Sequence, residues 1–112
     1  MKEGMIALVA LPQADGQIKK RPVLLLKALP RYNDFLVCGI SSQLKQEVKG
    51  IDLVIDNNHP DFKQSGLKTT SLMRLLYIAV VNSSVMPGAI GKISQKTLSD
   101  VQNRLGDFIK GK

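Results

Sequence analysis

The sequence predicts a mainly β protein: a curved antiparallel sheet or small barrel with one α-helix at its C-terminal end. Two observations predict this fold class. Short apolar segments alternate with turn-forming segments through the first 93 residues, as in sheets whose strands follow one another closely. Beyond that point the apolar residues recur at helical spacing. Because the chain has 112 residues, 44% of them hydrophobic, we expect one domain over residues 1–112.

Six apolar segments are predicted to be strands. They are residues 5–11, 22–29, 35–40, 51–55, 71–81 and 89–93. The polar segment 13–20 is predicted to be a loop that turns at Asp15-Gly16, a pair that tolerates positive φ. Pro22 is expected at the first position of the second strand, where its missing N–H does least harm. Gly91 is expected to break the last strand.

Arg74 is the only charged residue in the long strand predicted over residues 71–81. A buried charge without a partner is costly, so Arg74 needs an acid, a set of carbonyl groups or a bound anion. An internal salt bridge to Asp34 or Asp52 is one explanation. A bound anion is the other, and it makes Arg74 a candidate binding residue.

The C-terminal helix is predicted over residues 94–109. Ser94 is a favourable N-cap, and Ile93 can pack on Leu98 as a hydrophobic staple. The apolar face of the helix consists of Leu98, Val101, Leu105, Phe108 and Ile109. We expect the first three of these to be buried.

The chain is basic. Sixteen Lys and Arg residues against nine Asp and Glu residues give a formal net charge of +7. Such a balance on a small domain predicts a polyanionic partner, either RNA or DNA, or an acidic segment of another protein. A lysine-rich surface that only keeps the protein in solution is the alternative, because net charge governs association rather than fold.

Other features limit the classes of protein to consider. No apolar segment approaches the roughly 20 residues of a membrane-spanning helix, and the N-terminus does not resemble a signal peptide. Cys38 is the only cysteine, so we expect a small buried hydrophobe and no disulfide within the chain. These features predict a cytoplasmic protein without membrane association.

Neither a metal nor a cofactor is expected. His59 and Cys38 match no metal-ligand spacing. The glycine-rich phosphate loops of nucleotide-binding proteins have no counterpart in the sequence. His59 lies in the turn-rich segment 56–61, where a connecting role is the usual one, so we expect it to take no part in chemistry.

Basic and hydroxyl residues flank the second and third predicted strands. Lys19, Lys20 and Arg21 lead into the second strand, and Ser41, Ser42 and Gln43 end the third. Because neighbouring antiparallel strands run in opposite directions, the start of one lies beside the end of the next. Arg21 is therefore predicted to lie near Ser41, where a guanidinium and a hydroxyl can hold a phosphate. The alternative is a solvated arginine and a serine turn.

Five short motifs occur in a fixed order along the chain. They are GMIALV at residues 4–9, RPVL at 21–24, GISSQ at 39–43, SLMRL at 71–75 and IGKIS at 90–94. In this order and spacing the chain resembles the MazF/PemK toxins, the endoribonuclease toxins of bacterial type II toxin–antitoxin pairs. The resemblance extends over nearly the whole chain.

The resemblance implies a fold, an activity and partners. The fold is an SH3-like small antiparallel barrel with a C-terminal helix. The activity is metal-independent cleavage of single-stranded RNA, that of an mRNA interferase. The implied partners are single-stranded RNA, a second copy of the chain in a homodimer, and a cognate antitoxin with an acidic C-terminal segment.

The motifs also assign site residues. Arg21 of the RPVL motif and Ser41 of the GISSQ motif stand at the family's functional positions and are the predicted catalytic residues. For RNA binding we expect Lys19, Lys20, Ser42, Gln43 and Arg74.

The chain departs from the family pattern at three places. Met5 stands where an acid is usual, Leu75-Leu76-Tyr77 stands just after Arg74 where some members have an acid or amide pair, and Ala79 replaces a basic residue. If the chain cleaves RNA, Arg21 and Ser41 must then carry more of the catalysis. A non-catalytic module that binds RNA or a peptide is the alternative function. A toxin acting on a protein such as gyrase is a third reading, by analogy of fold only.

Overall fold

The computed structural model describes residues 1–12 and 15–112. The described residues form one antiparallel sheet, curled into a half-barrel, and one long helix. The strands are β1 (Met5–Pro12), β2 (Ile18–Ala28), β3 (Asp34–Ser41), β4 (Leu53–Ile55), β5 (Ser71–Asn82) and β6 (Ala89–Lys92). The helices are α1 (Phe62–Ser65) and α2 (Gln95–Lys110). The strand order is β4-β5-β3-β2-β1-β6, and the predicted mainly β barrel class is confirmed.

The first hairpin extends further than predicted. β2 begins at Ile18, which pairs with Pro12 of β1, so residues 18–20 belong to the strand and not to a loop. Pro22 therefore lies inside β2 and not at its first position. Proline is tolerated there because the pairing of β2 with β3 begins only at Val23.

The predicted turn between β1 and β2 is present where the structure describes it. Gly16 has a φ of +83°, and the Gln17 N–H donates to Asp15 Oδ1 at 2.9 Å. Residues 13–14 of the predicted loop lie outside the described residues.

Apolar side chains form a cluster on each face of the sheet. The first face is the one that packs against α2. Its buried cluster is Ile6, Leu24, Leu26, Cys38, Ile40, Ile55, Met73, Leu75, Ile93, Leu98, Val101 and Leu105. The second face carries Ala7, Val9, Val23, Leu25, Phe35, Val37 and Met86. The uniformly apolar sequence of β1 is explained by this burial on both faces.

α2 follows its sequence signals. The Thr97 N–H donates to Ser94 Oγ at 3.3 Å, and Gly111 ends the helix with a φ of +80°. The expected burial of Leu98, Val101 and Leu105 is confirmed. Phe108 and Ile109 share the predicted apolar face but are exposed.

The exposure of the last turn of α2 has a physical reason. A groove of about 270 Å³ lies between this turn and the sheet, lined by Leu26 and Leu36 on the strands and by Leu105 and Ile109 on the helix. The helix therefore leaves the first face of the sheet open at this end.

The residue just before the short helix α1, which was not predicted, anchors the N-terminal end of α2. The Asp61 carboxylate, just before α1, accepts hydrogen bonds from the Ser94 N–H at 3.0 Å and from Ser94 Oγ at 2.9 Å. Burial acts to raise the pKa of Asp61, but hydrogen bonds from Thr97 and Ser94 outweigh it and lower that pKa. The charged form is therefore the stable one at this cap.

Gly91 does not break β6, contrary to the prediction. It pairs with Ile6 inside the strand. The backbone of Gln64 and Ser65 in α1 passes so close that a Cβ at Gly91 would clash with it. The glycine is required for the close contact between α1 and the sheet, and the register with β1 shifts between Gly91 and Ala89.

β5 carries an irregularity that the sequence pattern did not predict. Gly39 of β3 pairs with Arg74, but the preceding residue Cys38 pairs with Ile78. The three β5 residues between those pairs, 75–77, have no partner in this register. Asp52 stabilises the interruption, because its Oδ1 accepts the Leu75 N–H at 3.0 Å. The predicted uninterrupted alternation of faces along β5 is therefore wrong.

Within the described ranges, no helix is long and apolar enough to cross a membrane.

Candidate functional site

The pairing of β2 with β3 brings Arg21 and Ser41 together. Val23 pairs with Gly39. Arg21 stands two residues before Val23 in β2, and Ser41 stands two residues after Gly39 in β3, so both lie just beyond the last pair of these strands. Both residues also line one pocket of about 400 Å³.

This pocket lies at the end of the sheet where β3 stops. Pro22 and Ile40, which alternation assigns to the first face, form part of its wall. The segment between α1 and β5 supplies Leu67, Lys68 and Thr69. Lys68 is exposed and adds a positive charge to a wall that already contains Arg21.

Lys68 and Thr69 were not among the site residues predicted from the sequence. The available signal was the segment Lys68-Thr69-Thr70-Ser71, a cation and three hydroxyls directly before β5. It could not be used without knowing that α1 brings this segment to the end of β3.

The Ser41 hydroxyl has two protein partners in this structure. It donates to Gln46 Oε1 at 3.0 Å and accepts the Gln43 N–H at 3.0 Å. Ser41 therefore shapes the turn that follows β3, and Gln43 contributes its backbone to that turn. When a phosphate binds, the hydroxyl can donate to it by giving up Gln46, whose side chain is exposed.

The other predicted binding residues occupy different positions around the pocket. Ser42 lines it. Lys19 and Lys20 are exposed on the extended part of β2, where they pair with Leu11 and Ala10 of β1. Alternation places Lys19 on the same face as Arg21. These lysines flank the pocket rather than line it.

Arg74 lies on the second face, near the Arg21–Ser41 pair. It stands opposite Gly39, which is two residues before Ser41 in β3. Its guanidinium carbon is 4.6 Å from the centre of the Tyr77 ring, a cation–π contact. Arg74 is half-buried rather than buried, because β5 leaves its regular pairing directly after it.

The salt bridge considered for Arg74 is not present in the described part of the chain. Asp52 instead accepts the N–H groups of Val48 and Leu75, and Asp34 accepts a hydrogen bond from Asn82. The explanation of Arg74 as half of an internal ion pair is therefore wrong, and Tyr77 is its structural partner.

The chain's thiol and imidazole lie away from the pocket wall. Burial, reinforced by the negative charge of Asp52, raises the pKa of the Cys38 thiol to about 12, as for a structural cysteine. His59 Nδ1 accepts the Asp61 N–H at 3.0 Å, which ties the imidazole to the segment that caps α2.

A known family matches nearly the whole chain. A family model described as the PemK-like, MazF-like toxin of the type II toxin–antitoxin system matches residues 2–109. The chain belongs to this family. The resemblance inferred from the five sequence motifs is thereby confirmed.

Solved structures share the fold of this toxin. An endoribonuclease in complex with its cognate antitoxin, from a mycobacterial species, superposes with a TM-score of 0.71 at 11% identity, over 98% of this chain and 95% of that one. MazE–MazF from Deinococcus radiodurans gives 0.68 at 13% identity, over 97% and 94%. The Mycobacterium tuberculosis toxin MazF-mt6 gives 0.64 at 18% identity, over 92% and 96%. At such identities the likeness establishes the fold. No curated protein matches the chain in sequence.

Proposed function

We propose that this toxin is an endoribonuclease that cleaves single-stranded RNA in the cytoplasm without a metal ion. The observation that supports this most directly is that Arg21 and Ser41 line one pocket and belong to the two motifs that resemble the family's functional ones. A guanidinium presents several N–H donors in a plane that suits a phosphate, and a hydroxyl adds one more.

The proposed reaction is transfer within the RNA backbone. The ribose 2′-oxygen forms a bond to the adjacent phosphorus, and the bond from phosphorus to the 5′-oxygen of the next nucleotide breaks. The products are a cyclic 2′,3′-phosphate and a free 5′-hydroxyl. One proton leaves the 2′-oxygen and one reaches the 5′-oxygen, so no oxidant or co-reactant is consumed.

Arg21 and Ser41 act on the phosphate oxygens in this scheme. Negative charge grows on those oxygens in the transition state, and preorganised donors stabilise it. A guanidinium keeps its proton at neutral pH, so Arg21 is not the base. Among the described wall residues there is no His, Asp or Glu, so in this proposal solvent water carries the protons.

The test is a cleavage assay in excess chelator with two RNAs of the same sequence. Ordinary RNA is expected to be cut to fragments that end in cyclic phosphate. RNA carrying 2′-O-methyl groups is expected to stay intact, because its 2′-oxygen cannot attack. Cleavage of the methylated RNA, or a requirement for added metal, contradicts the proposal. Binding without cleavage of either RNA identifies a non-catalytic binding module instead.

We also propose a cognate antitoxin whose acidic C-terminal segment binds at the same basic surface. The net charge of +7 supports this, because an acidic segment and an RNA backbone complement the same positive groups. The mycobacterial and Deinococcus structures are complexes with antitoxins.

A homodimer is the third part of the proposal. Four large apolar side chains are exposed around the open end of the first face: Ile78, Val80, Phe108 and Ile109. We call them the apolar surface. Val80 pairs with Leu36, which lines the groove under Ile109, so strand and helix contribute to one region. Clustered exposed apolar residues of this kind favour a protein partner.

A further inference from the structure

Tyr77 occupies an unusual place beside the candidate site. It is the last residue of the β5 interruption, and its ring lies against Gly39. A Cβ built on Gly39 would be 3.1 Å from Cδ1 of the ring, so the ring fills the space that a side chain at position 39 would need. Because Gly39 pairs with Val23, this space belongs to the second face of the sheet.

The ring is both open to solvent and held in place. Tyr77 is 62% exposed, although it is a large aromatic side chain. The guanidinium of Arg74 lies over it at 4.6 Å from the ring centre. Gly39 and Arg74 therefore fix the ring while much of its surface stays accessible.

The ring is next to the phosphate-binding pair. Gly39 precedes Ser41 by two residues on the same face of β3, a distance of about 6.5 Å along a strand. Arg21 lines the same pocket as Ser41, and alternation from Val23 assigns it to that face. A nucleotide whose phosphate contacts Arg21 and Ser41 therefore has a base within reach of Tyr77.

We propose that Tyr77 is a stacking platform for one RNA base, held in position by Arg74 and Gly39. The inference rests on the proposed nuclease function and adds a binding residue specific to this chain. Exposed aromatic rings on sheet surfaces bind single-stranded nucleic acid by stacking, and a guanidinium plane extends the stack.

The chain offers a direct spectroscopic test. It contains two tyrosines and no tryptophan. The second tyrosine, Tyr32, is 69% exposed in the turn between β2 and β3, at the opposite end of β3 from Ser41. In the Tyr32→Phe variant, Tyr77 alone reports, and its fluorescence should be quenched when a 2′-O-methyl oligoribonucleotide of mixed sequence binds. In Tyr77→Phe, where Tyr32 alone reports, the same binding should leave the fluorescence unchanged.

Affinity for the same oligonucleotide provides the second readout. Tyr77→Phe keeps an aromatic ring and should bind within about twofold of the parent, whereas Tyr77→Leu should bind roughly tenfold more weakly. Tyr32→Leu is the matched control and should bind like the parent. Light scattering on each sample reports the oligomeric state.

Several results overturn the inference. Tyr77 fluorescence that is not quenched when the oligonucleotide binds overturns it. An affinity of Tyr77→Leu equal to that of the parent also overturns it. Loss of affinity in Tyr77→Leu together with a change of oligomeric state assigns Tyr77 to a protein interface instead. If the parent cleaves RNA and Tyr77→Leu binds the oligonucleotide as tightly as the parent, the stacking role of Tyr77 is wrong and the nuclease proposal stands. If the parent neither binds nor cleaves RNA, the nuclease proposal fails as well.

Discussion

At the scale of single residues, the structure distinguishes inert groups from those placed for chemistry. Cys38 and Arg21 belong to neighbouring strands, yet the thiol is fully buried whereas Arg21 is exposed. The sequence predicted both outcomes, because a cysteine within an apolar strand faces the core and an arginine at a strand end does not.

The buried thiol predicts a pH dependence of stability. An ordinary thiol pKa of 9.0 is raised to about 12 by burial of Cys38 and by the charge of Asp52. Between these values the unfolded thiol loses its proton and the folded one keeps it, so this contribution to the free energy of unfolding falls as pH rises above 9.0.

Urea denaturation of the parent and Cys38→Ala measures this effect. The stability advantage of the parent should shrink by up to about 1.4 kcal/mol per pH unit above the ordinary thiol pKa, because the variant lacks the titrating group. A constant difference between the two proteins across this range would show that Cys38 titrates normally in the fold.

The position of the Tyr77 side chain could not be predicted from the sequence. Its position depends on the β5 interruption, which Asp52 stabilises from a segment more than twenty residues away in sequence. No sequence pattern within residues 71–81 predicts the hydrogen bond to Asp52. The prediction of regular alternation along β5 is wrong for that reason. Arg74 was expected to be buried and is instead half-buried.

At the scale of elements, the reliable signals were local ones. The short turn between β2 and β3 made the strands antiparallel neighbours, and this was enough to predict that Arg21 and Ser41 lie at one site, where they line one pocket. The N-cap and apolar spacing of α2 were sufficient for its bounds. The four-residue helix α1 lacked such signals, because a single turn has no repeating apolar pattern to recognise.

Replacing glycine by alanine is expected to have opposite effects on the free energy of unfolding at Gly91 and at Gly106. Gly91→Ala places a Cβ against the α1 backbone and should lower the free energy of unfolding by at least about 2 kcal/mol. Gly106→Ala lies in the interior of α2 with open space around its Cβ and should raise that free energy by about 0.5–1 kcal/mol. Urea denaturation measures both. A tolerated Gly91→Ala would mean that α1 does not need its close approach to β6.

At the scale of the whole molecule, charge and exposed apolar area define two different surfaces. The basic residues around the pocket suit a polyanion, and the apolar surface suits a second copy. Net charge predicts a polyanionic partner but does not locate its binding site. Lys68 could be assigned to the pocket only after the chain path around α1 was known.

Lys68 should contribute to RNA affinity through its charge. Lys68→Ala should weaken binding to all single-stranded RNAs alike and reduce the slope of log affinity against log salt concentration by about 1. Lys110→Ala, at the far end of α2, removes one exposed charge away from the pocket and is the control. Equal slopes for parent and Lys68→Ala would remove Lys68 from the phosphate-binding set.

The apolar surface predicts the oligomeric state. The toxin should be a dimer by light scattering at micromolar concentration, and Val80→Asp should make it a monomer, because an unpaired carboxylate is costly at a buried interface. Val85 has similar exposure, 53% against 59% for Val80, and Val85→Asp should leave the dimer intact. A monomeric parent, or a dimer that survives Val80→Asp, contradicts this assignment.

Cleavage rates in excess chelator measure whether Arg21 and Ser41 form the proposed catalytic pair. Arg21→Ala should lose at least about a hundredfold in rate, the scale for removing a transition-state charge donor, and Ser41→Ala roughly fivefold, the value of one neutral hydrogen bond. Arg31→Ala, an exposed arginine in the turn between β2 and β3, should cleave like the parent. Circular dichroism should show all three variants folded. An Arg21→Ala variant that is folded and cleaves RNA as fast as the parent would show that Arg21 is not a catalytic residue.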